Sequence, residues 1–407
     1  MRSASRSAAL VAACVILVAA SGVFAQDWPQ WRGPDRDGKV SGFLAPQTWP
    51  KQLAEKWKVT VGAGDSTPAL VGDRLYVFTR QGDDEVILCL SAADGKELRR
   101  DRYAAQAVTG PAAKHPGPRS SPAVAEGKVV TLGVGGVVSC LDAASGKVAW
   151  RNSDFADVPQ YFTAMSPIIV DGMAVLHLGG KDGGAVVAFD LAKGSEKWKW
   201  TGDGPAYASP VLMTVAGTKQ IVVQTAKNLV GLAAADGKLL WQVAAPAKQR
   251  FYNCATPIVD GQTVITTGQG AGTKALKIEK QGDAFAAKEI WSNPDLGTGF
   301  STPVLRDGLL FGLSDGGNFF CMNASTGKTL WTGSDKFDRF GAVVSAGPVI
   351  LGLPASGDLL AFKPSDKGYE EVARIKVSAT PVYAHPIIAG KRVFVKGEDT
   401  LAMLEFE

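Results

Sequence analysis

The chain has 407 residues and contains little of what most catalytic and metal sites are built from. It has three histidines and five cysteines, and no Cys-x-x-Cys pair occurs. That absence argues against thiol redox chemistry and structural zinc. No His-Glu-x-x-His, Gly-x-Ser-x-Gly or phosphate-loop motif is present, and no EF-hand string. We therefore predict no catalytic residues and no metal ligands from motifs alone.

Charge of one sign and long apolar runs are also scarce. The 43 Lys+Arg nearly balance the 39 Asp+Glu, and the net charge of +4 is too small to suggest a nucleic-acid partner. A hydrophobic content of 46% argues against disorder. Beyond the N-terminus, no apolar run approaches the 18 or so residues of a membrane-spanning helix. We expect a folded, monomeric protein with no transmembrane segment.

The first 25 residues have the pattern of a secretory signal peptide. Arg2 and Arg6 precede an apolar stretch over residues 8–20, and small residues suit a cleavage site that ends at Ala25. This predicts a periplasmic or secreted protein. A rival interpretation is a bacterial lipobox with a lipid on Cys14. The apolar run continues past Cys14 rather than ending there, so we favour cleavage near Ala25 over a lipid anchor.

The cysteines beyond this leader are Cys89, Cys140, Cys254 and Cys321. They are widely separated, although an exported protein can form disulfides. The first, second and fourth occupy the same place in a sequence repeat. Because a core of this size does not need cross-links, we predict that they are buried, small apolar side chains.

What the chain has in excess is glycine, at 47 of 407 residues or about 11.5% against a typical value of about 7%. The glycines accompany an internal repeat with an Asp or Asn, a Gly-Lys turn and a closing tryptophan. Copies or partial copies of it end at Arg99, Trp150, Trp198, Trp241, Trp291 and Trp331. One tryptophan per copy at one position predicts packing between neighbouring units.

A second marker precedes each copy: a small or polar residue, then proline, an apolar strand and a glycine turn. The prolines are Pro68, Pro122, Pro167, Pro210, Pro257, Pro303, Pro348 and Pro386. Their spacings of 38 to 54 residues define eight units near 45 residues, the period of a four-stranded propeller blade. The apolar runs inside each unit are too short for helices. In the second unit they predict strands over 123–125, 129–132, 137–141 and 148–150.

The ends of the repeat array predict how the ring closes. The eighth unit contains three strands, over 385–389, 392–396 and 400–405. Residues 54–58 match the outer-strand sequence at 195–199 almost letter for letter. The early segment can therefore supply the missing outer strand, and closure removes exposed sheet edges.

These patterns together predict an all-β fold, an eight-bladed β-propeller of four-stranded antiparallel blades closed by an N-terminal outer strand. The expected organisation is a signal peptide at 1–25, a segment at 26–53 packed on the propeller, and the propeller itself at 54–407.

Functional residues are expected on the face where the chain crosses from one blade to the next, just before each proline. Aromatic and cationic groups recur at these positions. The candidates for a funnel that binds a ligand or partner are Arg119, Tyr161, Tyr207, Tyr252, Asn253, Phe300, Arg339, Tyr383 and His385. Rigid apolar area with hydrogen-bonding groups suits a binding surface. The alternative is that these aromatics only plug the channel and pack between blades.

The repeat, written here as LDAASGKVAW and MNASTGKTLW, resembles the pyrroloquinoline quinone-type propeller repeat over about residues 54–407. The opening DWPQWRGP at 27–34 looks like the start of exported proteins of that superfamily and is expected to pack across the ring. One class that it resembles, the quinoprotein alcohol dehydrogenases, implies a quinone and calcium held by Glu, Asn and Asp, an adjacent-cysteine disulfide and long insertions. This chain has no adjacent cysteines and short crossings, and Asn253 alone is not such a site.

The other class that the chain resembles is the barrel-assembly lipoprotein B family, which implies a periplasmic scaffold without a cofactor. We therefore favour an exported, non-catalytic propeller with no cofactor. It is expected to bind a protein partner or extended ligand at the funnel face, in cell-envelope or outer-membrane protein assembly. The alternatives are an alcohol or sugar oxidoreductase that uses pyrroloquinoline quinone with calcium, and a polysaccharide-binding propeller.

Overall fold

A computed structural model describes residues 27–180, 182–248 and 252–407. The predicted signal peptide and the alternative lipid site at Cys14 lie outside these residues. Nearly all regular structure in the described ranges is β-strand, with one short 3-10 helix at Gly110–Ala112. No helix in these ranges is long and apolar enough to cross a membrane.

The first half of the ring contains four blades, each a four-stranded sheet. Two strands precede them, β1 (Lys39–Val40) and β2 (Ala54–Thr60). Blade 1 contains β3 (Ala69–Val71), β4 (Arg74–Gln81), β5 (Asp84–Ser91) and β6 (Glu97–Ala104); blade 2, β7 (Ala123–Ala125), β8 (Lys128–Leu132), β9 (Val138–Asp142) and β10 (Val148–Asn152); blade 3, β11 (Ile168–Val170), β12 (Met173–Leu178), β13 (Ala185–Asp190) and β14 (Glu196–Trp200); blade 4, β15 (Val211–Val215), β16 (Thr218–Gln224), β17 (Asn228–Ala233) and β18 (Leu239–Ala244).

The second half continues the same pattern. Blade 5 contains β19 (Ile258–Asp260), β20 (Thr263–Gly268), β21 (Gly272–Gln281) and β22 (Ala284–Asn293); blade 6, β23 (Val304–Arg306), β24 (Leu309–Leu313), β25 (Phe319–Asn323) and β26 (Thr329–Thr332); blade 7, β27 (Gly341–Ala346), β28 (Val349–Pro354), β29 (Asp358–Phe362) and β30 (Glu371–Lys376); blade 8, β31 (Ile387–Ala389), β32 (Arg392–Lys396) and β33 (Thr400–Glu405). Neighbouring strands within a blade are antiparallel. The predicted fold class is confirmed.

Blade 8 takes its outer strand from the beginning of the ring, as predicted. Strand β2 pairs antiparallel with β33, from Ala54 opposite Glu405 to Thr60 opposite Thr400. The sheet order β2-β33-β32-β31 therefore joins sequence segments from both ends of the propeller. Because β2 is the fourth strand of the eighth sheet, the edge of β33 is paired, and blade 8 is as complete as the other blades.

Blade 7 departs from the proline marker, and the prediction that Pro348 opens its inner strand is wrong. Ala346 pairs with Val349, so Gly347-Pro348 forms the turn between the first two strands. By register, the position that holds proline in blade 6 is occupied here by Val343. The inner strand is six residues long. One of its edges pairs with β28, and the other pairs in parallel with β1.

Five outer-strand tryptophans join their blade to the next one, whereas Trp241 of blade 4 donates its indole N–H to Gln220 within its own blade. Trp291 at the end of blade 5 donates a hydrogen bond to the carbonyl oxygen of Ala324 in blade 6, at 2.9 Å. Its ring covers Gly327, where a Cβ atom would lie 2.3 Å from a ring carbon. Gly327 also has φ +72°, so the repeat needs glycine there for two reasons. The same indole-to-carbonyl bond is made by Trp57, Trp150, Trp198 and Trp331.

The residue before each proline links the inner strands around the channel. The Ser166 hydroxyl accepts a hydrogen bond from the Ser121 N–H at 2.9 Å, and the Ser209 hydroxyl accepts one from the Ser166 N–H at 2.9 Å. Equivalent bonds run from Thr67 to Ser121, from Thr256 to Thr302 and from His385 to Thr67. We call this set the hydroxyl belt. It explains why the marker requires a small hydroxyl residue in most blades.

The four described cysteines are unpaired thiols. Cys89, Cys140 and Cys321 are buried in the third strands of their blades, in agreement with the sequence prediction, whereas Cys254 is partly exposed. Burial raises the pKa of Cys140 to about 11 and that of Cys321 to about 12. These thiols therefore act as apolar side chains at neutral pH.

Candidate functional site: the funnel cavity

Residues 27–38 lie against the inner strands of several blades, and Trp31 within them contributes the floor of the site. Two side chains of this segment, Arg32 and Arg36, are buried and donate hydrogen bonds to backbone carbonyls beside the prolines of the inner ring. The acceptors are Thr302 and Pro303 for Arg32, and Ser166 and Pro167 for Arg36, at 2.8 to 3.0 Å. Burial lowers the pKa of Arg32 to about 10 and that of Arg36 to about 9. Both therefore stay charged at neutral pH.

A cavity of about 520 Å³ opens above this floor, on the face where the chain crosses between blades. We call it the funnel cavity. Each of the eight crossings contributes at least one lining residue. The lining comprises Trp31, Asp65, Pro111, Ala112, Lys114, His115, Arg119, Tyr161, Ala164, Tyr207, Ser209, Tyr252, Cys254, Thr256, Gln269, Phe300, Thr302, Arg339, Phe340 and Tyr383. Its size is typical of ligand pockets.

One side of the cavity is a cluster of three tyrosines from successive crossings, which we call the tyrosine cluster. Tyr252 makes edge-to-face contacts with Tyr161, at 5.0 Å between ring centroids, and with Tyr207, at 5.6 Å. The Tyr161 N–H donates a hydrogen bond to the Tyr207 hydroxyl at 3.1 Å. Partial burial raises the pKa of Tyr207 above its usual value. The cluster is therefore a neutral aromatic wall whose geometry is set by its own contacts.

The next two crossings along the ring hold a stacked pair, Phe300 and Phe340, with ring centroids 4.3 Å apart and planes 12° apart. The Arg339 guanidinium lies over both rings, 5.1 Å from the Phe300 centroid and 5.8 Å from that of Phe340. The Tyr383 ring meets Phe340 edge-on at 5.4 Å. These contacts hold the cation by cation–π attraction and leave its N–H groups available to a ligand.

Between the two walls lies a group of charged residues. The His115 Nδ1 is 2.8 Å from the Asp65 carboxylate, and this bond raises the pKa of His115. The Arg119 guanidinium donates hydrogen bonds to the carbonyl oxygens of Tyr161, at 2.8 Å, and His115, at 2.9 Å. Desolvation lowers the pKa of Arg119. Arg119 thus fixes the crossing that carries Tyr161 and keeps its positive charge beside the cavity.

The structure brings most of the sequence candidates together. Seven of them line the funnel cavity: Arg119, Tyr161, Tyr207, Tyr252, Phe300, Arg339 and Tyr383. Asn253 is turned away, and its amide donates hydrogen bonds to the carbonyl oxygens of Thr225 and Ala245. His385 is 3% exposed and packs edge-on against Trp31, with centroids 4.7 Å apart. These two residues support the lining from behind.

Several lining residues were not among the sequence candidates. Lys114 and His115 lie in the crossing between blades 1 and 2, which is where the proline spacing is longest, at 54 residues. That spacing is the signal that could have found them. Asp65 and Trp31 carry no such signal, because their positions depend on contacts across the ring.

The donor set of the cavity does not fit the quinone-and-calcium alternative. Calcium takes six to eight oxygen ligands, with carboxylates prominent among them. Among the described residues, the lining supplies one carboxylate, Asp65, which is bonded to His115, beside the cations of Lys114, Arg119 and Arg339. Within the described part of the chain, no group of three or more His, Cys, Asp or Glu side chains could hold a metal ion.

Comparisons with known proteins agree with the propeller fold. A protein-family model described as outer membrane protein assembly factor BamB matches residues 83–333. BamB of Burkholderia pseudomallei (strain K96243) is 24% identical over 362 residues, which is 85% of this chain and 86% of that protein. The crystal structure of BamB from Moraxella catarrhalis has a TM-score of 0.66 at 14% identity, covering 87% of this chain and 98% of that one.

The fold is shared more widely than that. Quinohemoprotein alcohol dehydrogenase ADHIIG from Pseudomonas putida HK5 has a TM-score of 0.68 at 16% identity, and the match covers 93% of this chain and 80% of that one. Structural likeness at such identities shows the fold alone. The family-model match spans more than half of the chain, and so the protein belongs to the outer membrane protein assembly factor BamB family.

Proposed function

We propose that this protein is a non-catalytic scaffold of the cell envelope that binds a protein partner at the funnel cavity during outer-membrane protein assembly. The similarity to proteins named BamB supports a role in outer-membrane protein assembly, because the match to the Burkholderia pseudomallei protein covers most of both chains. The observation that carries the proposal is the funnel cavity itself. Its aromatic walls and its cations suit recognition, and its described lining residues include no paired carboxylates of an acid–base or metal site.

The cavity is suited to binding because its walls are preorganised. The Phe300–Phe340 stack and the tyrosine cluster are held by ring contacts, and the crossings that carry them start from rigid blades. Rigid aromatic side chains lose little conformational entropy when a partner binds. Aromatic and arginine side chains are also the residues that contribute most to protein interfaces.

The test is deletion and rescue in the organism that encodes the chain. Deletion is expected to lower the amount of folded outer-membrane barrel proteins, measured by heat-modifiable mobility on gels. Wild-type protein should restore that amount, and the double variant Tyr252→Ala/Arg339→Ala should not. The matched control is Lys238→Ala/Leu239→Ala, which removes a cation and an apolar side chain from an exposed outer edge of blade 4. Normal barrel levels in the deletion strain would contradict the proposal.

A second experiment addresses the enzyme alternative. Purified protein is mixed with pyrroloquinoline quinone and calcium, and then assayed for a bound chromophore and for dye-linked alcohol oxidation. We expect neither, because the lining offers a single carboxylate, already bonded to His115. Stoichiometric quinone binding with turnover would refute a non-catalytic role.

A further inference from the structure

We infer that the occupant of the funnel cavity is an extended, acidic segment of the partner protein that also carries an aromatic side chain. This inference rests on the proposed function and names the chemistry that the same cavity would recognise. It is argued from the sign and availability of the charges in the lining and from the spacing of the aromatic walls.

The available charge in the lining is positive. Lys114 and Arg339 are exposed, and neither forms a salt bridge or donates a side-chain hydrogen bond within the described residues. Arg119 bonds to carbonyl oxygens rather than to a carboxylate. Lys114 and Arg339 therefore face the cavity without a counter-ion among the described residues, whereas Arg119 shares the charge of Asp65 with His115. A partner that supplies carboxylates gains charge-assisted hydrogen bonds without breaking an existing ion pair.

The negative groups near the cavity do not cancel this charge. The one lining carboxylate, Asp65, is 2.8 Å from His115 Nδ1, and the bond favours the charged form of that histidine. Asp338 and Glu398 lie near Tyr383, but neither lines the cavity. The field inside the cavity therefore favours an anionic ligand.

The position of the free cations favours an extended segment over a compact anion. Lys114 is on the crossing between blades 1 and 2, and Arg339 is on the crossing between blades 6 and 7. The crossings that carry Tyr383 and Asp65 lie between them. Two carboxylates separated along a chain can reach both cations, whereas a single small anion engages one of them.

The aromatic walls define the second requirement. The tyrosine cluster and the Phe300–Phe340 pair form consecutive arcs of the cavity wall, because Tyr252 and Phe300 are on successive crossings, and Trp31 contributes to the floor. A segment made only of acidic residues would leave these ring faces in water. An aromatic side chain between the walls would bury them and add stacking contacts. The lining thus matches a segment in which acidic and aromatic residues alternate.

The test uses three fluorescein-labelled, end-capped peptides and fluorescence anisotropy with the full exported protein. The probe is Glu-Phe-Glu-Phe-Glu, and the controls are Lys-Phe-Lys-Phe-Lys and Glu-Ala-Glu-Ala-Glu. We expect the probe to bind at least about tenfold more tightly than either control, and more weakly as salt is raised. Lys114→Gln and Arg339→Gln should each weaken probe binding by about three- to fivefold. Lys336→Gln, an exposed cation outside the cavity lining, should leave it unchanged.

Three results would overturn the inference. They are equal binding of the acidic and basic peptides, unchanged probe binding by both cavity variants, and full displacement of the probe by phenylacetate at the concentration of the peptide itself. The last result would mean a small-molecule site instead of a segment site. If the peptides fail while Tyr252→Ala/Arg339→Ala still blocks rescue in cells, the proposed function stands and only the acidic, aromatic occupant is refuted.

Discussion

The buried histidine of blade 3 makes the stability of this protein sensitive to acid in a way that can be calculated. His177 lies in β12, is 4% exposed, and donates a hydrogen bond from Nε2 to the carbonyl oxygen of Asp203 at 3.0 Å. Burial lowers its pKa to about 4 from the ordinary value of 6.5. The folded protein therefore holds this imidazole neutral over a pH range in which the unfolded chain protonates it.

The sign and size of the effect follow from proton linkage. Because the folded pKa is the lower one, the stabilisation is complete above pH 6.5 and is lost as pH falls toward 4. At pH 5.0, which is about 1.5 units below the ordinary pKa of 6.5, protonation stabilises the unfolded state relative to the folded state. At about 1.36 kcal/mol per pH unit, the loss in the free energy of unfolding is about 2 kcal/mol. A variant that cannot titrate, His177→Gln, escapes this loss and still offers a donor to the Asp203 carbonyl.

Urea unfolding of both proteins at pH 7.5 and pH 5.0, followed by tryptophan fluorescence, measures the difference directly. The free energy of unfolding of His177→Gln relative to the native protein should rise by about 2 kcal/mol between the two pH values. Other groups, such as buried Glu85, titrate in both proteins and cancel. His115→Gln is the control, because the pKa of His115 is raised and its effect has the opposite sign. A relative stability that stays constant within about 0.5 kcal/mol would refute a buried neutral His177.

Three other substitutions or treatments test the packing between blades. Gly327→Ala should lower the free energy of unfolding, measured by thermal unfolding, by about 1–3 kcal/mol more than Gly282→Ala does. Both glycines have positive φ, but only a Cβ atom at position 327 would meet the facing indole ring, at 2.3 Å. Equal losses of stability would contradict that contact. Ser166→Ala should cost about 1–3 kcal/mol by leaving a buried N–H of the hydroxyl belt without its acceptor, whereas exposed Ser334→Ala should be neutral. In a Cys254→Ala background, the buried thiols, including Cys140, whose pKa burial raises to about 11, should react with Ellman's reagent at pH 8 only after unfolding; rapid reaction of that native protein would show that a cysteine-containing blade opens locally.

The blades were predictable because their determinants are local and repeat. In most blades the Gly-Lys turn, the closing tryptophan and the residue before the proline make the same local contact, and that contact imposes the same residue type in those copies. Blade 7 shows the limit of this reasoning. A turn at Gly347-Pro348 and a strand entry such as Thr302-Pro303 look alike in sequence, since both place a proline between short apolar runs. Only the strand register distinguishes them.

The candidate site was predictable in position more than in composition. The residues before each inner strand had to lie at the crossings, so Tyr161 and Arg339 could be chosen without knowing their partners. Whether a crossing residue faces the cavity depends on the direction of its side chain. The amide of Asn253 is turned away because it donates hydrogen bonds to the carbonyl oxygens of Thr225 and Ala245. The Asp65–His115 contact joins residues 50 positions apart through the ring geometry. No local pattern encodes a contact of that kind.

The pairing of β2 with β33 imposes an order of events on a chain made from its N-terminus. Strand β2 (Ala54–Thr60) emerges before any blade is complete, yet its partner β33 (Thr400–Glu405) is the last strand of the propeller. The eighth sheet therefore cannot form until synthesis has passed Glu405, and until then β2 offers an unpaired edge. A chaperone that binds unfolded chain, or a delay in hydrophobic collapse, would have its greatest effect on β2. That effect would fall in the interval between the emergence of β2 and the emergence of β33.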